Sequence, residues 1–180
     1  TTGPAVESFE RHFADAVSAP HAVACANGTA ALHLAALAAD LGPGDAAIVP
    51  AVTFMATANA VRYTGAEVVF ADVDPDSGLL GAGELEDAIR RVPRNLRLRA
   101  VMPVHLNGWL ADEAALFRAA QARGLVTIVD ACHALGSRRA GDGQPTGDCR
   151  YAEMATFSFH PVKAITTAEG GMVTTRDADK

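Results

Sequence analysis

The sequence predicts an α/β protein built on a mostly parallel sheet of about seven strands, with helices on both faces. Short β-branched runs alternate with longer segments whose apolar residues recur at helical spacing. The run Val126 to Asp130 is the clearest buried strand. Helices that separate apolar strands place those strands side by side in one direction, and ligands are then expected at the strand ends.

Taken in order, Thr2-Gly3-Pro4 sets up a helix start, and Val6, Phe9, Phe13 and Val17 continue it. His21 to Cys25 reads as a strand. Asn27-Gly28-Thr29 then opens a helix over Ala30 to Ala39, which Leu41-Gly42-Pro43-Gly44 stops. Ala47 to Val49 is a short strand, Phe54 to Tyr63 a helix and Glu67 to Ala71 a strand, followed by a turn from Asp74 to Gly78. A helix from Gly83 to Arg91 leads to a strand at Arg99 to Val104. Ala111 to Arg123 is helical with Gly124 as its cap, and residues 141–147 form a loop. The last strands fit Ala155 to Phe159 and Met172 to Thr175.

With 180 residues, 49% of them hydrophobic and 20% charged, the chain suits one globular domain. Its apolar runs are too short for a membrane span, and no basic-then-apolar signal segment opens it. A net charge of −6 disfavours nucleic acid, and the arginines at 90, 91, 94, 97 and 99 are expected on a solvated helix end and loop. Cys25, Cys132 and Cys149 are too scattered for a disulfide framework or metal site, which points to a reducing cytoplasm. Each is expected as a small buried hydrophobe.

Lys163 carries the most information. It follows the β-like run Phe157-Ser158-Phe159 and precedes the Gly170-Gly171 turn, a setting suited to a lysine that forms an imine beside a phosphate site. Such a cofactor also needs an anion cradle and an acid facing its ring nitrogen. At Asn27-Gly28-Thr29 free N–H groups, the helix dipole and a hydroxyl make an anion site, the alternative being an ordinary N-cap. Asp130 ends a buried strand and is poised over the crevice, the alternatives being a cap or structural salt bridge. His133 can stack on a ring or bond to it. Asp130 with His133, His105 or His160 can also suggest a metal, though no HExxH or Cys/His cluster backs one. Phe54 can present an aromatic face or join the core, and the Ser158 hydroxyl can join Thr29 on a phosphate. There is no P-loop, GxGxxG or GxSxG.

Together these stretches resemble the pyridoxal-phosphate-dependent nucleotide-sugar aminotransferases, the DegT–StrS group of fold-type-I enzymes. The likeness runs through Asn27 to Leu34, Pro50 to Asn59, Asp72 to Asp74, Pro103 to Gly108, Val129 to Gly136 and Phe157 to Gly171, the last two being the most specific. The resemblance implies a three-layer large domain over residues 1–180 with pyridoxal 5'-phosphate as cofactor. It implies that Lys163 binds the cofactor covalently, Asp130 pairs with the pyridine nitrogen, Phe54 stacks on the ring and His133 lies near the ring hydroxyl. Gly28, Thr29 and Ser158 hold the phosphate. Lysine at 163 argues against the sugar dehydratases of the group, which have histidine there.

By the same resemblance, glutamate donates an amino group to a nucleotide-linked sugar ketone. The stretch His160 to Gly171 is similar to the branch that aminates C4 of UDP-linked 4-keto-6-deoxy sugars, of the pseudaminic-acid type. Ala164 stands where that branch has proline, and Cys132 where a small residue is more usual. Members of the group run about twice this length, with a C-terminal small domain not found in this chain and a neighbouring subunit that completes the site, so a homodimer is expected. The rival readings are a truncated, non-catalytic module that binds cofactor or a partner chain, and another fold-type-I enzyme such as a lyase or desulfurase.

Overall fold

The computed structural model describes residues 3–179. Helix α1 (Pro4–Val17) begins at a proline, whose missing N–H would have had no helical partner, and ends at Ser18 in the left-handed conformation. Thr2, part of the expected helix start, lies outside the described residues. Then follow β1 (His21–Cys25), α2 (Gly28–Ala38), β2 (Asp45–Pro50), α3 (Met55–Tyr63), β3 (Glu67–Ala71) and α4 (Ala82–Arg90). The second half holds β4 (Arg97–Val101), α5 (Glu113–Gln121), β5 (Val126–Asp130), β6 (Met154–Ser158) and β7 (Gly171–Thr175).

The seven strands form one sheet in the order β1-β7-β6-β5-β4-β2-β3. Only β7 runs against its neighbours, so the expected mostly parallel sheet is present. Alternate side chains of each strand feed opposite cores. Ala47, Val49, Ala100, Met102, Ile128, Met154 and Val173 pack against α2 and α3. On the other face Ile48 and Val101 meet α4 and α5, and Val129, Phe157 and Met172 meet α1. This sandwich of helices around a sheet is the predicted three-layer arrangement. The α1 face is aromatic, with the Phe13 and Phe157 rings edge-on at 5.0 Å.

Several boundaries move for local reasons. The strand expected over Arg99 to Val104 stops at Val101, because Pro103 has no N–H for the ladder. The chain rejoins the sheet at Val104, which bridges to Asp130. Helix α5 starts two residues later than expected, where the Asp112 carboxylate accepts the Ala115 N–H at 2.9 Å. Between them Leu106–Gly108 makes an unforeseen 3-10 turn, with Asn107 left-handed at φ 53°.

The arginines placed on a helix end and loop divide differently. Arg97 and Arg99 lie within β4, the first exposed and the second partly buried. Arg97 pairs with Asp45 at 2.7 Å, and Arg91 and Arg99 donate to the carbonyls of Phe70 and Ala39. Each of these three anchors a separate point of the fold. Among the described residues, no helix is long and apolar enough to cross a membrane.

Candidate functional site

Pairing brings three strand ends together. Cys25, at the end of β1, and Ser158, at the end of β6, both face Gly171 at the start of β7. Asp130 ends β5 one strand further on. These strand ends lie on the same side as the start of α2, which follows β1, and a cavity of about 500 Å³ opens among them. Its walls include Asn27, Gly28, Thr29, Phe54, Asp130, Cys132, His133, Ser158 and Lys163. Every residue to which the family resemblance gave a role lies on this cavity, as does His160, whereas His105 does not.

The α2 end builds one wall. The Asn27 side chain accepts the Ala30 N–H at 2.9 Å, so the cap is real. The N–H groups of Gly28 and Thr29 have no partner within the helix and sit at its positive end, so the cap and an anion site coexist. Gly28 is needed for a close approach: a Cβ there would lie 2.7 Å from the Ser158 Cβ and 3.2 Å from the Cys132 sulfur. Its absence lets the serine hydroxyl stand beside the helix end. Gly28→Ala is therefore expected to lower stability by about 1–3 kcal/mol through overpacking, as read by urea unfolding. Unchanged stability would show that the wall can yield.

Asp130 is 5% exposed and, among the described residues, forms no ion pair. Its backbone is clamped on both edges, by Pro103 O at 2.9 Å and the His105 backbone N–H at 3.0 Å on one and by pairing with Thr156 of β6 on the other. One carboxylate oxygen accepts the Thr57 hydroxyl at 2.7 Å, the other the Cys132 N–H at 3.1 Å. The alternatives of a helix cap or salt bridge thus fall away. Phe54 is likewise no core residue: it sits at the N-cap of α3 with 64% of its surface exposed.

His133 is partly buried, and its Nδ1 accepts the Asn107 N–H at 3.4 Å, which leaves Nε2 as the donor of the neutral ring. Burial and then the Lys163 charge hold its pKa below the usual imidazole value, against the pull of Asp130. Burial, then Asp130, pushes the Cys132 thiol well up, so this cysteine is no thiolate nucleophile at neutral pH. Cys149 is buried as expected, with its thiol raised to about 11 by burial, whereas Cys25 and Cys132 are only partly covered. Lys163 is half-buried, and its N–H closes a turn onto His160 O at 2.9 Å. Among the described residues, no group of three or more His, Cys, Asp or Glu side chains is placed to hold a metal ion.

Two features escaped the sequence reading. Thr57 is one. A threonine in the buried stripe Ala56, Thr57, Ala60, Val61 of α3 was the available sign. The other is a buried network behind the site, in which Glu113 accepts from His105, Thr146 and Arg139, each at 2.7 Å. Arg139 also pairs with Asp148 and stacks over Tyr151. No local pattern joins residues this far apart in sequence.

A cavity at the carboxyl ends of parallel strands, with a helix N-terminus on its wall, defines the ligand-binding class of open α/β proteins. Within that class the chain belongs to the DegT/DnrJ/EryC1/StrS aminotransferase family, which it matches over residues 1–180. It is 45% identical to a GDP-perosamine synthase of Caulobacter vibrioides, over 99% of this chain and 46% of the relative. A GDP-perosamine synthase of Escherichia coli O157:H7 is 38% identical, over 97% of this chain and 46% of the relative. The chain thus spans about half the length of the curated relatives it matches. Among solved structures, the putative sugar aminotransferase Spr1654 from Streptococcus pneumoniae in its PLP form superposes with a TM-score of 0.88. That match has 33% identity and covers 98% of this chain and 47% of the other.

Proposed function

We propose that this chain is the cofactor-binding large domain of a pyridoxal-phosphate-dependent aminotransferase acting on a nucleotide-linked sugar ketone. The observation that carries this reading is the convergence of a lysine, a buried strand-end carboxylate and a helix N-terminus on one cavity. These residues fit the cofactor. A phosphate suits the free N–H groups of Gly28 and Thr29 with the Ser158 hydroxyl, in a cradle that a Cβ at position 28 would fill. Asp130, already held by two donors, is free to face a pyridinium. Exposed Phe54 has a ring face to offer, and neutral His133 an N–H for the ring hydroxyl.

When bound, the cofactor supplies an aldehyde and a ring that accepts electrons. Lys163 would hold that aldehyde, and its amine, when freed, would serve as the proton carrier on the donor side and again on the sugar side. Asp130 would face the ring nitrogen and hold its proton. Glutamate is the proposed donor. The stretch His160 to Gly171 supports a UDP-linked 4-keto-6-deoxy sugar as acceptor, whereas the names of two relatives support a GDP-linked one. Assays should offer both nucleotides. The remaining walls of the substrate cleft are proposed to come from a C-terminal domain and a second copy of the chain.

The test is an absorbance titration of the chain with pyridoxal 5'-phosphate, followed by borohydride reduction and peptide mapping. The sequence holds two lysines, Lys163 and Lys180, so the mapping has two possible answers. A visible band with label on Lys163 is expected, and then glutamate-dependent release of 2-oxoglutarate. No band, or label confined to Lys180, would overturn the reading for this chain. Ammonia or sulfide in place of 2-oxoglutarate would move it to a lyase or desulfurase.

A further inference from the structure

The carboxylate of Asp130 does not stand alone. Thr57, on the first turn of α3, is fully buried and directs its hydroxyl to Asp130 Oδ2 at 2.7 Å. The Thr57 oxygen also lies 2.8 Å from the Thr53 hydroxyl and 3.2 Å from Phe54 O. One hydroxyl has one proton, and the shorter bond to a charged acceptor is the stronger, so the proton of Thr57 goes to Asp130. Thr53 is then the donor to Thr57. A directed chain therefore runs from Thr53 through Thr57 to Asp130, crossing from the loop that carries Phe54 to the end of β5.

A carboxylate at a strand end can rotate about its last bond, and a ring nitrogen is well served by only one orientation. The Cys132 N–H fixes one oxygen and Thr57 the other, so the plane of the carboxylate is set before any ligand arrives. Thr57 is fully buried, so removing its hydroxyl leaves Oδ2 short of a donor and Asp130 freer to turn. The same hydroxyl ties the carboxylate to the loop of Phe54, which links the edge of the proposed ring site to one of its faces.

The geometry points to Thr57, supported by Thr53, as the positioning residue that aims Asp130 at the ring nitrogen of the cofactor. This assignment rests on the proposed function, in which Asp130 meets that nitrogen.

Binding of two ligands separates the possibilities without any turnover. One is pyridoxal 5'-phosphate. The other is its carbocyclic analogue, with C–H in place of the ring nitrogen. Dissociation constants are measured by absorbance titration for the wild-type chain, Thr57→Val, Thr57→Ser, Thr53→Val and Asp130→Asn. The wild-type chain is expected to prefer the natural ligand, and Asp130→Asn to lose that preference. Thr57→Val should shrink the preference about tenfold, the worth of one hydrogen bond to a charged group. Thr57→Ser should restore it, and Thr53→Val should fall between. If Thr57→Val does not fold, the serine and Thr53→Val variants still decide the matter: full preference in Thr53→Val with none in Thr57→Ser would overturn the relay. Preference in Thr57→Val equal to that of the wild type, or weakening of both ligands alike, would also overturn it, the latter marking a merely structural hydroxyl. If the wild-type chain binds both ligands equally, the fault lies earlier, in the placement of Asp130 against the nitrogen, and the positioning role falls with it.

Discussion

Lys163→Ala is expected to abolish the visible band formed with pyridoxal 5'-phosphate and to cut amino-group transfer by at least about 10³-fold, the scale of a lost general base. Lys163 is the one lysine on the cavity wall, and its charge reaches both His133 and Cys132. The other lysine of the sequence, Lys180, lies outside the described residues. Alanine removes both the covalent anchor and the proton carrier. It leaves the phosphate cradle of Gly28, Thr29 and Ser158 in place, so the variant should still bind the ligand, more weakly and without the band. Lys163→Arg separates charge from nucleophilicity, since a guanidinium stays protonated. It should bind the ligand and yet show no band. A band in Lys163→Ala would move the covalent anchor elsewhere and remove the central residue of the proposed function.

The parts of this architecture visible in sequence are those that local chemistry dictates. Val126 to Asp130 is apolar enough to be buried on both faces, and Asn27 before Gly28 marks a helix start whatever lies around it. The cavity could be foreseen because strand ends and helix starts follow one another along the chain, and the family resemblance assigned roles to residues already singled out. Pro103 shows the limit of reading runs by hydropathy: the apolar stretch continues through Val104, but the ladder cannot. The reversal of β7 was not legible either, because its partner β1 lies at the far end of the chain. Thr57 and Asp130 are 73 residues apart, and nothing in either segment announces the other. Polar pairs of this kind are set by the packing of α3 on the sheet, which hydrophobic periodicity locates only to a face.

Glu113→Ala is expected to lower stability at pH 7 by about 3 kcal/mol, the cost of leaving buried polar partners without their acceptor. Three donors converge on this carboxylate, and both it and His105 are buried. Nδ1 of His105 accepts the Ala111 N–H, so Nε2 is the atom that donates to Glu113. Burial alone would raise the pKa of Glu113, but the hydrogen bonds from His105, Thr146 and Arg139 outweigh it and hold the value below the ordinary 4.5. The sign of the pH effect follows. A carboxyl with a depressed folded-state pKa contributes its stability above the unfolded value and loses it as pH falls through the folded one. The gap between the wild type and Glu113→Ala, measured by urea unfolding, should therefore be widest at neutral pH and narrow as pH falls below about 4.5. A gap that does not change with pH would mean that packing, not charge, is what Glu113 contributes. The network also reaches the site: His105 donates its N–H to Asp130 O, and the loop bearing Arg139 closes behind it. Loss of Glu113 should loosen that clamp, so its variant should bind pyridoxal 5'-phosphate more weakly even where it remains folded.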